Sequence, residues 1–282
     1  METPDGLPHS NPYNPWPASD PGETFTVRAD DGAVLFVRAW RPQGDPRAHI
    51  LLLHGAGAHS GLYAPLAARL AAAGYHVVAP DLRGHGVSSG ARGDVDRFER
   101  YLADLRPLQE HLGRPAVVWG ESMGGVLALD LLLQQPHVWQ AGVLMAPAIA
   151  LRQAPDRAVR AMGRAVGRLA PWARGPLLGR GGFGGLPAGS MNDSFTIRWG
   201  MAVLAAGEQT AQHLAGITAP TLWLLPGADL IVDEEAVAAH AAQLADAEVL
   251  SFPGYPHALL LGPDPAPVIQ QALSWLERRL QP

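Results

Sequence analysis

The stretch "VVWGESMGGVLALDLL", residues 117–132, decides how the rest of the chain is read. It opens on a short apolar run of strand character and closes on a Leu- and Ala-rich run of helical character. Between them Gly120-Glu121-Ser122-Met123-Gly124 fits G-x-S-x-G. A turn sharp enough to push a serine out between strand and helix crowds the backbone on both sides, so both flanks must be glycine. The reading is therefore strand, tight turn and helix. Ser122 is the candidate nucleophile, and the Met123 N–H lies at a helix N-terminus, where an anionic oxygen is favoured. A second fit, Gly86-Val87-Ser88-Ser89-Gly90, sits in "DLRGHGVSSGARGD" with no helix directly after it, so Ser88 reads as a loop serine.

Outward from this stretch the same rhythm repeats. "HILLLHG" (49–55), "HVVAPDL" (76–82), "GVLMAPA" (142–148), "TLWLLPG" (221–227) and "EVLSFPG" (248–254) are short, nearly continuous apolar runs that end in turn residues. Strands covered on both faces read this way. Helical segments are expected at 62–73, 95–112, 122–135, 233–245 and 266–280, with Asp94, Ser122 and Asp233 at their starts. Residues 23–41 instead alternate around Asp30-Asp31-Gly32, the pattern of an antiparallel hairpin. The expected fold class is α/β, with a mostly parallel central sheet and helices on both faces.

The rhythm breaks between residue 149 and about 213. There Arg157, Arg160, Arg164 and Arg168 form one helical stripe, with Ala158, Met162, Ala165, Val166 and Leu169 broadly opposite. A Gly-rich stretch follows at 179–189, then a second helical region at 194–213. The expected organisation is a Pro-rich arm at 1–22, a first core part at 23–149, an inserted helical cap at 150–212 and a second core part at 213–282.

Composition narrows the chemistry. The net charge of −5 gives no overall case for nucleic acid. Cysteine is absent, which removes disulfides, thiolate metal sites and a thiol nucleophile. All 21 basic residues are Arg, so Schiff-base and Ser-Lys chemistry are removed too. The first residues lack a basic stretch and apolar run of a secretory signal, and no apolar run is long enough to span a bilayer, so a cytoplasmic location is expected.

A serine nucleophile needs a base, an acid that orients it, and donors for the oxyanion. In an open parallel sheet such groups gather beyond the carboxyl ends of the strands. Asp229 follows the strand at 221–227 and His257 the strand at 248–254, giving Ser122, Asp229 and His257 as the candidate catalytic set. His54, His59 and His85 also follow strands; His54 and His85 read as partners of loop backbone. Asp233 competes for the acid role but precedes a helix, and Asp81 reads as a brace for the "DLRGHG" turn. The loop "HGAGAHSG" (54–61) brings small residues near the site, and Ala56 N–H is the expected second oxyanion donor beside Met123.

With these residues in view, the chain resembles the α/β-hydrolase fold, and within it the monoacylglycerol lipase and lysophospholipase group, which is serine aminopeptidase S33-like. The pieces that carry the resemblance are residues 54–90, "WGESMGGVLAL" (119–129), "LMAPAI" (144–149), "APTLWLLPGADLIVD" (219–233) and "YPHALL" (255–260). The resemblance implies the same triad, an oxyanion hole from Ala56 and Met123, and a cap inserted after "LMAPAI". Glu121 stands where many members have His, and the Gly-rich cap and Pro-rich arm match no pattern of the group.

The expected function is hydrolysis of carboxylic esters of medium or long acyl chains, of monoacylglycerol or lysophospholipid type, through an acyl-enzyme on Ser122. No metal or organic cofactor is required. The partners expected are a small-molecule ester or lipid substrate and, through the basic cap helix, a transient contact with a lipid surface. Two other readings stand beside it: an aminopeptidase or acyltransferase with the same triad, and a non-catalytic ligand-binding module on the same scaffold.

Overall fold

The computed structural model describes residues 22–112, 114, 116–175, 195–262 and 264–280. The Pro-rich arm, Gly22 apart, and the Gly-rich stretch at 179–189 lie outside the described residues.

The strands β1 (Glu23–Arg28), β2 (Val34–Trp40), β3 (Ala48–Leu53), β4 (Tyr75–Pro80), β5 (Ala116–Glu121) and β6 (Trp139–Met145) come first in the chain. A two-residue ribbon, β7 (Arg174–Gly175) with β8 (Phe195–Thr196), precedes β9 (Thr221–Pro226) and β10 (Ala247–Phe252). All but the ribbon join one eight-stranded sheet in the order β1-β2-β4-β3-β5-β6-β9-β10. From β4 to β10 every pairing is parallel. The hairpin β1-β2 is antiparallel and joins β4 antiparallel at that edge.

The helices are α1 (Ala64–Ala72), α2 (Glu99–His111), α3 (Met123–Gln134), α4 (Arg157–Leu169), α5 (Ile197–Ala211), α6 (Glu234–Ala241) and α7 (Ala266–Arg279). Successive residues of a strand point to opposite faces. Leu51 and Leu53 of β3 accordingly join a core with α2, α3 and α6, whereas Ile50 and Leu52 join another with α1 and α7. Both faces are covered, and this is why the inner strands must be apolar throughout. The α/β class with helices on both faces is what the apolar runs predict.

Between β6 and β9 the chain forms α4, the ribbon and α5. Asp156 caps α4 by accepting from Val159 N–H at 2.9 Å, and Thr196 caps α5 by accepting from Trp199 N–H at 3.2 Å. Side chains would keep α4 off α5: a Cβ on Gly163 would stand 2.9 Å from Met201 Sδ, and one on Gly167 2.9 Å from Arg198 Cβ. The apolar stripe of α4 faces no core: no residue of this helix is buried, and Met162 and Leu169 are 62% and 82% exposed. One expectation needs correction here. Asp94 does not cap α2, which starts five residues later. It accepts from Thr196 Oγ1 at 2.5 Å and from Arg198 Nε at 2.7 Å, tying the segment after β6 to the loop after β4. Among the described residues no helix is long and apolar enough to cross a membrane.

Candidate active site

Ser122 occupies the junction of β5 and α3 at φ 54°, ψ −115°, a left-handed conformation that a non-glycine residue adopts only under strain. Its surroundings hold it there. The Ser122 N–H donates to Met145 O at 2.9 Å, and its carbonyl accepts from Gly125, Val126 and Ala148. The two motif glycines have separate reasons. A Cβ on Gly120 would stand 2.1 Å from Gly124 O, and one on Gly124 would stand 2.2 Å from Leu53 O. The spelling is thus the steric requirement of packing α3 onto β3 and β5 at a single turn. Ser122 makes no side-chain capping bond, so its hydroxyl is not spent on the helix.

The loop after β3 passes close by: a Cβ on Gly55 would meet Ser122 Cβ at 3.2 Å. His54 anchors this loop. Its Nε2 accepts from Leu82 N–H at 2.9 Å, so the proton sits on Nδ1, which donates to Gly55 O at 2.7 Å. Burial, and next the nearby His85, hold its pKa far below the usual imidazole value. With both nitrogens committed, His54 is a scaffold residue and not a base. His85 is also buried, its Nδ1 paired with Arg83 O, and burial pushes its pKa down to about 4. The amides of Ala56 and Met123 have no acceptor among the described residues, and both residues line one cavity with Ser122.

Asp229 and His257 come together from the loops after β9 and β10. The Asp229 carboxylate is 2% exposed; Oδ1 accepts from Ile231 N–H at 2.7 Å and Val232 N–H at 3.0 Å, and Oδ2 from His257 Nδ1 at 2.7 Å. Burial pushes this carboxyl up, but the His257 hydrogen bond and charge and the two amides outweigh it, leaving the group below its ordinary value. Facing a carboxylate, Nδ1 carries a proton, which leaves Nε2 as the nitrogen that can accept one from a hydroxyl. Among the described residues His257 Nε2 is buried without a hydrogen-bond partner, and Ser122 and His257 line the same cavity of about 50 Å³.

The rival candidates lie elsewhere. Asp233 caps α6 through Ala236 N–H. Asp81 braces its loop, accepting from Ser60 N–H, Ser60 Oγ and Val87 N–H. Ser88 Oγ donates to Asp81 O and accepts from Phe36 N–H, which holds the loop against β2. Among the described residues no group of three His, Asp or Glu side chains is placed to hold a metal ion.

Sequence reasoning did not single out Tyr63, nor give Glu121 a role. Both are buried and joined by a hydrogen bond from Tyr63 Oη to Glu121 Oε2, within the cavity shared by Ser122 and His257. The available signal was an acid at the end of an otherwise apolar strand. A second cavity of similar size shares Ala56 and Ser122 with the first and is otherwise walled by Leu151, Trp199, Met201, Val203, Leu204 and Ile231 among others.

The chain is similar to known proteins in sequence and in fold. Residues 44–181 match the family described as serine aminopeptidase, S33. A solved structure of Paleococcus ferrophilus monoacylglycerol lipase superposes with a TM-score of 0.76 at 25% identity, covering 87% of this chain and 99% of that one. The chain is an α/β-hydrolase. Within the α/β-hydrolases its relatives include proteins of the monoacylglycerol lipase group. Monoacylglycerol lipase of Mycolicibacterium smegmatis is 28% identical over 284 residues, 88% of this chain and 95% of that protein. Human monoglyceride lipase is 36% identical over 152 residues, which span 52% of this chain and 48% of the human protein. A soluble variant of the Saccharomyces cerevisiae monoglyceride lipase, solved with a substrate analog, shares the fold at a TM-score of 0.79 and 19% identity.

Proposed function

We propose that this carboxylic ester hydrolase cleaves esters of medium or long acyl chains, of monoacylglycerol or lysophospholipid type, through an acyl-enzyme on Ser122. In the first half-reaction His257 Nε2 takes the Ser122 proton as Oγ bonds to the ester carbonyl carbon. The oxyanion accepts from the Ala56 and Met123 amides, and the new imidazolium is held by Asp229. His257 returns the proton to the departing alkoxide. Water then adds to the acyl-enzyme by the same route, releasing the acid and restoring Ser122.

The observation that carries this reading is a strained serine, at φ 54°, sharing a cavity with an imidazole whose far nitrogen is already bound to a buried carboxylate. The apolar cavity beside Trp199, Val203 and Leu204 suits the acyl chain, and the described residues of the segment between β6 and β9, Leu151 and α5 among them, act as the cap that walls it. Ser122→Ala is expected to abolish hydrolysis of p-nitrophenyl esters while the far-ultraviolet circular dichroism is unchanged; unaltered turnover overturns the reading.

The outer surface of the cap supports transient contact with a lipid surface. Val159, Met162, Leu169 and Trp172 are 45%, 62%, 82% and 75% exposed, beside the exposed Arg157, Arg164 and Arg168. Large apolar groups rimmed by cations suit the boundary between headgroups and acyl chains. Sedimentation with anionic vesicles at low salt is expected to carry the protein down, and its absence removes this part of the proposal.

A further inference from the structure

The two cavities that meet at Ser122 differ in chemistry. Among the described residues, the one beside Trp199 and Val203 has no ionisable side chain in its wall. The other is lined by His257, Glu121 and Tyr63 among apolar neighbours that include Leu62, Leu260 and Leu261. An ester bonded to Ser122 Oγ has two arms, and the mechanism assigns them. The imidazole must deliver its proton to the departing alkoxide, so the alcohol arm belongs in the cavity that His257 lines. The acyl arm is left with the apolar one.

Glu121 is the feature of the alcohol cavity that needs explaining. It ends β5, is 7% exposed, and lies immediately before the nucleophile. Its Oε2 accepts from Tyr63 Oη, and Tyr63 Oη in turn accepts from Gly55 N–H at 3.4 Å, so the carboxyl is fixed in place from one side. Its Oε1 is buried and has no hydrogen-bond partner among the described residues. A buried polar atom left unpaired is costly, and one that persists beside a reaction centre is relieved when a ligand supplies the missing partner.

We propose that Glu121, oriented by Tyr63, is a specificity-determining residue whose Oε1 hydrogen-bonds a free hydroxyl on the alcohol portion of the ester. The inference rests on the esterase reading above and adds the identity of the group that reads the alcohol. A neutral hydroxyl fits better than a cation. Burial raises the Glu121 pKa against the Tyr63 hydrogen bond and the His257 charge, disfavouring the carboxylate that an ammonium would require.

The test compares kcat/KM for 1-octanoylglycerol, propyl octanoate and octanoylcholine, which share an acyl chain and differ in the alcohol. The wild-type protein is expected to prefer the glycerol ester over the propyl ester by about tenfold, the scale of one buried hydrogen bond. In Glu121→Leu that ratio should fall to about one, and in Tyr63→Phe by at least threefold, because Oε2 then loses its donor. The ratio is the readout, since a general disturbance of the site slows both esters alike. A wild-type ratio below about two, a ratio unchanged in the variants that fold, or a preference for octanoylcholine overturns the proposal. Should Glu121→Leu fail to fold, the Tyr63→Phe ratio decides. Absence of hydrolysis of all three esters by the wild-type protein would instead sink the esterase reading itself.

Discussion

Gly124→Ala tests whether the turn around Ser122 is built on backbone contact. The new Cβ would stand 2.2 Å from Leu53 O and 2.6 Å from His54 O, where carbon and oxygen need about 3.2 Å. Both obstacles are backbone, so no side chain can rotate aside, and α3 or the end of β3 must shift by roughly 1 Å. Overpacking of this kind costs about 3 kcal/mol, and the better helix propensity of Ala returns about 1 kcal/mol, leaving roughly 2 kcal/mol of destabilisation. The displaced carbonyls open the loop that carries the Ala56 amide, and a misplacement on the order of 1 Å lowers kcat by about a hundredfold. Gly216→Ala is the control: its Cβ would meet only Leu133 Cδ2, at 3.2 Å, the end of a flexible side chain. Urea titration followed by tryptophan fluorescence, with p-nitrophenyl ester turnover beside it, reads both effects. A Gly124→Ala midpoint equal to wild type, with full turnover, would refute the steric account of the motif.

Two further outcomes follow from buried carboxyls. Asp229→Asn is expected to lower kcat on p-nitrophenyl esters by about 10³–10⁴-fold with KM little changed, because the amide no longer fixes the His257 tautomer; a loss under tenfold would contradict that role. Asp130, on α3, accepts from Thr210 Oγ1 at 2.7 Å, yet burial raises its pKa to about 6. The native state therefore keeps a proton that the unfolded chain releases near pH 4, so this group lowers stability as pH rises from about 4 to 6. Asp130→Asn should flatten that slope and gain on the order of 1–2 kcal/mol at neutral pH, after solvent screening; parallel pH–stability curves for the two proteins would count against it.

The fold was legible wherever local pattern and tertiary environment agree. The inner strands are apolar on both faces because helices cover both, whereas in the hairpin β2 buries alternate residues and the edge strand β1 is largely exposed. Asp94 misled because an acid ahead of a helix resembles a cap, whereas its partners Thr196 and Arg198 lie more than a hundred residues on, beyond any local signal. The stripe on α4 has a helical period, but period alone does not say whether the apolar side meets a core, and here Gly163 and Gly167 make the contact instead. The ribbon β7-β8 is too short to carry a pattern. At the candidate site, Ser122, Asp229 and His257 stood out because each follows a strand at one end of the sheet. The Tyr63–Glu121 pair did not, because it depends on a side-chain approach between residues 58 positions apart.

The most direct measurement is mass spectrometry of the intact protein and its peptides after reaction with a fluorophosphonate. The account predicts one adduct, on the peptide containing Ser122, formed at least a hundredfold more slowly in His257→Ala. An adduct on Ser88 or another serine, or labelling of Ser122 at the wild-type rate without His257, would contradict it.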